Sequence, residues 1–265
     1  MKNKFYLSLI FAIAISALVS CSSKKVEAPV DDFIDTLGVI TAFNDATYDE
    51  GDRHIQRRAY SNLSTLLSDL QSGNLDYAQL PEVTVNYLMK KYDFIEKAGY
   101  TGGSEAFFIG VPPRNKSLLD EINAALGDLG GDGILDELTK EYLEGDEKKY
   151  KETEFEEFEG APTITFAVTG NLPPIDYVND EGVFSGFTTA FLSELGKKLK
   201  KNIKLVSCEP GARPAMLLSR KADALLWVTS ISNEDLHPES FRMEGVLLSD
   251  PYLAGPIPKI RLKKQ

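Results

Sequence analysis

Residues Thr163–Phe187 read TITFAVTGNLPPIDYVNDEGVFSGF. Ile164, Phe166 and Val168 recur at every second position, the period of a half-buried strand. The run stops at Asn171-Leu172-Pro173-Pro174. Two successive prolines exclude both a continuing helix and a paired ladder, so the backbone there is extended and rigid. Tyr177, an Asn179-Asp180-Glu181-Gly182 turn and Gly186-Phe187 then open a helical pattern over 188–200. A loop that leaves a strand and precedes a helix lies on the ligand side of an α/β domain.

The chain opens with Met1-Lys2-Asn3-Lys4, an apolar run from Phe5 to Val19, and Leu18-Val19-Ser20-Cys21. A basic start, an apolar run too short to span a bilayer comfortably and small residues before a cysteine describe an export signal. It resembles a bacterial lipoprotein signal, which implies removal of residues 1–20, lipidation of Cys21 and a flexible tether over 21–32. That places the protein in the cell envelope, held to a bacterial membrane by lipid and facing the periplasm or exterior. Cys208 is the only other cysteine, so a lipidated Cys21 leaves no partner for an intrachain disulfide. The net charge is −11, which makes nucleic acid a poor partner. The acidic surplus at 49–52, 144–147 and 152–159 reads as solvated surface.

From Phe33 the chain alternates strand and helix patterns. A β-like run at 37–43 is followed by a polar turn, Asn44-Asp45-Ala46-Thr47, and a strand over 54–60. Leu63, Leu66, Leu67 and Leu70 keep helical spacing, Gly73 stops that helix, and a strand at 75–80 leads into a helix at 83–89 opened by Pro81. A strand at 106–111, a helix at 117–129 and a last amphipathic helix at 134–143 complete the first half. An acidic linker over 146–160 precedes strands at 163–168, 203–206, 223–228 and 257–262 with helices at 188–200 and 214–219. The alternation predicts an α/β fold with parallel sheets.

The segment LLSDLQSGNLDYAQLPEVTVNYL is similar to the second lobe of the amino-acid type of periplasmic solute-binding protein, family 3. The Pro-Pro loop with its Gly-Phe helix start, and Ser249-Asp250-Pro251-Tyr252, resemble that family's first lobe. The resemblance implies a two-lobed type II periplasmic binding fold, each lobe a mostly parallel sheet flanked by helices, with hinge strands near Phe107–Val111 and Ile257–Leu262. The lobes stand in swapped order, so the resemblance implies a circular permutation. Lobe two spans 33–108, the return strand and closing helices that pack on lobe one span 109–145, lobe one spans 161–255, and a hinge strand spans 256–265.

The family reading implies a monomer that captures a small polar solute, amino-acid-like or related, for an ABC importer permease. It implies no enzymatic activity, cofactor or metal. Carried over residue by residue, the ligand positions are Asn171, Leu172 and Tyr177 after the first strand of lobe one, and Thr229, Ser230 and Ser232 in a serine-threonine-rich turn after the buried strand. Hydroxyls with helix-start amides suit an anion there. The family's arginine is replaced by Asp235, and Leu172 stands where an aromatic is usual. Arg213 reads either as a replacement charge or as a surface arginine. Trp227 reads as pocket floor or lobe interior, and Tyr177 as ligand wall or core. On lobe two the corresponding positions are Asn44, Asp45 and Thr47, with Glu82 beside Pro81; Glu82 reads either as a ligand position one residue late or as a first-turn acid that stabilises its helix. A ligand sensor or scaffolding lipoprotein on the same fold is the alternative.

Overall fold

The computed structural model describes residues 33–40, 49–50, 53–146, 150, 153–232 and 245–264. In chain order the strands before the linker are β1 (Phe33–Ile40), β2 (Asp49–Glu50), β3 (Arg53–Tyr60), β4 (Tyr77–Gln79) and β5 (Ile95–Val111). The helices of that half are α1 (Leu63–Gln71), α2 (Glu82–Lys91), α3 (Lys116–Gly131) and α4 (Ile134–Leu138), which continues as a π-helix over Thr139–Glu144. After the linker come β6 (Thr163–Val168), β7 (Asn171–Leu172), β8 (Asp176–Val178), β9 (Phe184–Ser185), α5 (Phe187–Leu199), β10 (Asn202–Ser207), α6 (Arg213–Leu218), β11 (Ala224–Ser232), β12 (Leu247–Leu248) and β13 (Leu253–Leu262).

One large sheet runs in the order β10-β6-β11-β5-β13-β4-β1-β3-β2, with β12 also on β5; β7, β8 and β9 form a small second sheet. At one end β10, β6 and β11 are mutually parallel, and at the other β4, β1 and β3 are. Between them β5 and β13 run antiparallel to each other, to β11 and to β4 respectively. The architecture is α/β with two parallel half-sheets joined through two long central strands, the two-lobed arrangement expected. Both central strands are longer than the periodicity predicts: β5 has 17 residues and β13 has 10. Their ladder shifts register between Pro256 and Pro258 and again between Lys259 and Ile260. Prolines offer no N–H to a ladder, which accounts for the first shift.

The helices follow their sequence signals. Asn62 caps α1 by accepting the Thr65 N–H at 2.8 Å, while Leu63, Leu66, Leu67 and Leu70 all face the core. On α3, Leu119, Ile122, Ala125, Leu126 and Leu129 form the buried stripe, and α3 packs on α5. Lys198 of α5 reaches Asp132, the residue after α3, and Lys201, just beyond α5, reaches Glu121 of α3. The linker is docked where the sequence suggested open solvent. Asn202 accepts the Phe158 N–H at 2.8 Å and donates to the Phe158 and Ala161 carbonyls, Ser193 donates to the Glu154 carbonyl at 3.0 Å, and Phe155 packs against the core. No helix among the described residues is long and apolar enough to cross a membrane.

One expectation fails in the backbone. Thr229, Ser230 and Ser232 do not open a helix; β11 continues through Ser232, pairing Thr229 with Phe107 and Ser232 with Ser104. Their main chain is committed to the ladder with β5, so it supplies no helix-start amides to an anion.

The turn into α5 depends on Gly186, which sits at φ +100° where a Cβ would lie 2.5 Å from the Pro174 carbonyl oxygen. An alanine there is strained and also collides with backbone. Gly186→Ala is expected to lower the unfolding free energy by about 2 kcal/mol or more, read by urea denaturation.

Candidate functional site

A cavity of about 620 Å³ opens where the loop after β6 faces α1 and α2. One wall is Gly170, Asn171, Pro173 and Tyr177 through Asp180. Opposite lie Asn62, Ser64, Ser68 and Gln71 on one side of α1, spaced so that Ser64, Ser68 and Gln71 stack on successive turns. Tyr87 and Lys91 of α2, then Tyr92 and Phe94, close the floor. The Asn171 amide donates to the Ser61 carbonyl at 2.9 Å, a direct bond between two walls that are 110 residues apart in sequence. Its Oδ1 is buried without a hydrogen-bond partner. Asn179 holds the loop tip by accepting the Glu181 and Val183 N–H groups at 3.0 and 2.9 Å.

A second polar cluster lies in the interior, behind the ends of β6 and β11. Asp176 is 1% exposed, and its Oδ2 accepts the N–H groups of Thr169 at 3.1 Å and Gly170 at 3.0 Å. Burial raises its carboxyl from the ordinary 3.8 to about 6, against the opposing pull of those N–H groups and of Arg213. Arg213 is 3% exposed and donates to the carbonyls of Pro210 at 3.2 Å, Leu226 at 2.9 Å and Trp227 at 2.6 Å. Burial also lowers the Arg213 pKa and raises those of Tyr252 and Cys208.

The structure brings Asn171 and Tyr177 together on the cavity wall and sends several other expected ligand residues elsewhere. Leu172 is fully buried in the core, because alternation across β7 turns it inward while Asn171 faces out. Arg213 is neither a surface arginine nor a cavity residue; three carbonyls occupy its guanidinium. Trp227 is 1% exposed and belongs to the core cluster, at the unusual φ of +57°. Glu82 is the first residue of α2 and pairs with Lys97 at 2.7 Å. Asn44, Asp45, Thr47, Asp235 and Cys21 lie outside the described residues, and for Thr229, Ser230 and Ser232 only the backbone is described. The cavity face of α1 and α2 was not anticipated. Its one sequence signal is the polar row Ser64, Ser68, Gln71, which also looks like an ordinary solvated face. Among the described residues no group of three His, Cys, Asp or Glu is placed to hold a metal.

Residues 164–263 match the bacterial extracellular solute-binding proteins, family 3. No curated protein matches the chain. Among solved structures it resembles the ligand-binding component of an ABC-type import system from Staphylococcus aureus, solved with zinc bound, at 11% identity and TM-score 0.41, over 86% of this chain and 65% of that one. It also resembles the GluR0 ligand-binding core in complex with L-glutamate, at 9% identity and TM-score 0.42, over 87% and 85%. A third is the periplasmic binding protein DppA from Helicobacter pylori in complex with the peptide STSA, at 15% identity and TM-score 0.40, over 75% and 41%. The chain thus spans less than two thirds of the import component and of the peptide-binding protein.

Asp176 gives the fold a pH dependence whose sign is fixed. Its folded pKa lies above its unfolded value, so its contribution is complete below about pH 4 and is lost as pH rises through about 6. The loss amounts to about 3 kcal/mol. Asp176→Asn keeps an oxygen for Thr169 and Gly170 and removes the titration. Denaturant unfolding of the variant is expected to show a flatter stability profile between about pH 4 and 6, and higher stability than the parent near neutrality.

Proposed function

We propose that this protein is a two-lobed solute receptor of the bacterial cell envelope, anchored through a lipid on Cys21, whose lobes follow each other in circularly permuted order. It captures a small polar solute in the cavity between the 170–180 loop and the α1–α2 face and presents it to an ABC importer. The observation that carries the reading is that bipartite cavity, walled by segments from both halves of the chain and bridged by Asn171 and Ser61. Capture works by closure. Bending in the β5–β13 pair brings the walls together, and a ligand that touches both walls binds the closed form better and shifts the population toward it. The family match over 164–263 supports solute binding as the activity, in preference to turnover.

Strand geometry supports the permutation. From Ile260, paired with Ala78, β13 runs on toward the level at which β1 begins, since Leu37 pairs with Tyr77 on the other side of β4. The end of β13 and the start of β1 thus lie at the same end of the strands, two strand spacings or about 10 Å apart. In this reading that joint was once continuous and the 146–160 linker was once a pair of ends.

The alternative, a sensor or scaffolding lipoprotein, draws support from Arg213 and Leu172. Neither meets the cavity, so the amino-acid signature of the family is incomplete among the described residues.

Two measurements test the proposal. A relinked gene that joins residue 264 to residue 33 through a short Gly-Ser spacer, and opens within 146–152, is expected to yield a protein with the parent's circular dichroism and a single cooperative unfolding transition; a molten or aggregated product sinks the permutation. Small-angle scattering with a panel of amino acids, sugars and organic acids at millimolar concentration is expected to show one class that contracts the parent. Asn171→Ala should weaken that response by about 1 kcal/mol, the worth of a hydrogen bond. Contraction with no member of the panel, in a folded protein, speaks for the scaffold.

A further inference from the structure

We propose that the cavity takes a neutral polyhydroxylated ring, a mono- or disaccharide, and not a zwitterionic amino acid. The proposal rests on the cavity being the solute site. Charge is the first ground. Among the described lining residues only Lys91 and Asp180 are charged, and both are solvent-exposed. The Lys91 ammonium donates to the Tyr87 hydroxyl and lies 4.6 Å from the centroid of that ring. A carboxylate and an ammonium taken out of water need desolvated partners of opposite charge, and exposed ones are worth little. The buried charges of this half, Asp176 and Arg213, are turned to backbone groups in the interior and do not line the cavity.

The neutral groups are the second ground. Ser64, Ser68 and Gln71 present a hydroxyl, a hydroxyl and an amide along one side of α1. Hydroxyls and amides both donate and accept, as sugar hydroxyls do, so the two sets match without a net charge on either side. The third ground is aromatic surface. Tyr177 lies on one wall, and Tyr87, Tyr92 and Phe94 on the other, the last two with ring centroids 5.4 Å apart and tilted by 50°. Such rings offer flat apolar faces to the C–H side of a pyranose while their hydroxyls stay polar. A volume of about 620 Å³ is within the range of sites for ligands of one or two rings.

The test is isothermal titration of the mature chain with glucose, galactose, maltose and lactose, and separately with glycine, glutamate, glutamine and arginine. Saturable binding of a neutral sugar is expected, nearly independent of salt because the ligand carries no charge. Tyr177→Ala and Gln71→Ala should each weaken it about tenfold or more, with unchanged melting temperature and circular dichroism. Binding of an amino acid with silence from the sugars overturns the ligand class and leaves solute capture standing. Sugar binding that neither variant weakens overturns the site. Silence from both sets overturns this inference and the capture reading together.

Discussion

Along Ile95–Leu262 pairing, from Leu253 opposite Phe107 to Leu262 opposite Ile95, β5 and β13 share one antiparallel ladder, and each also pairs with a different half-sheet. Everything else hangs on those two backbones. β11 attaches to β5 at its C-terminal part, so β6 and β10 follow; β4 attaches to β13, so β1 and β3 follow. The side chains of the pair extend the same constraint into the core. Tyr252, just before β13, stacks on Phe191 of α5 at 4.7 Å and meets Phe107 of β5 at 6.3 Å. Ile95 and Ile260 are buried at the other end. A two-stranded connection is stiff in length and compliant in bend, the mechanical property that the proposed closure requires.

The distribution of charge follows from the same frame. Ionised groups deep inside a half-sheet survive only when main-chain dipoles or opposite charges hold them. Arg213 satisfies that condition with three carbonyls, two of them on β11, and Asp176 with the N–H groups of the turn that leads to the cavity wall. These two residues therefore hold the turn before the cavity wall and the end of β11, and neither lines the cavity.

Much of the fold was legible before the structure. The alternation over Thr163–Val168 marks β6 to the residue, and the leucines of α1 and the stripe of α3 define their buried faces. The misses share one cause, tertiary pairing that local pattern does not contain. The sequence pattern gives a strand only at 106–111, yet β5 runs from Ile95 to Val111 because β11 and β13 flank it. Thr229 to Ser232 looks like a helix start and is drawn into the same ladder. Arg213 looks exposed, since its carbonyl partners sit 13 and 14 residues further on and carry no sequence mark. For the candidate site, the Pro-Pro loop pointed to Asn171 and Tyr177, but a polar helix face that lines a cavity is written like one that faces bulk water. Leu172 was misplaced because two-residue strands give too little alternation to assign a side.

The docked linker has a further consequence for dissection of this molecule. α3, encoded before the linker, completes the hydrophobic cover of α5, encoded after it, and Phe155 and the Glu154 carbonyl tie the intervening chain to the same surface. A scission near residue 150 would therefore not liberate two autonomous modules. It would leave two incomplete fragments, each exposing an apolar face shaped by the other, with the reunion of separately made halves as their route back to a closed core.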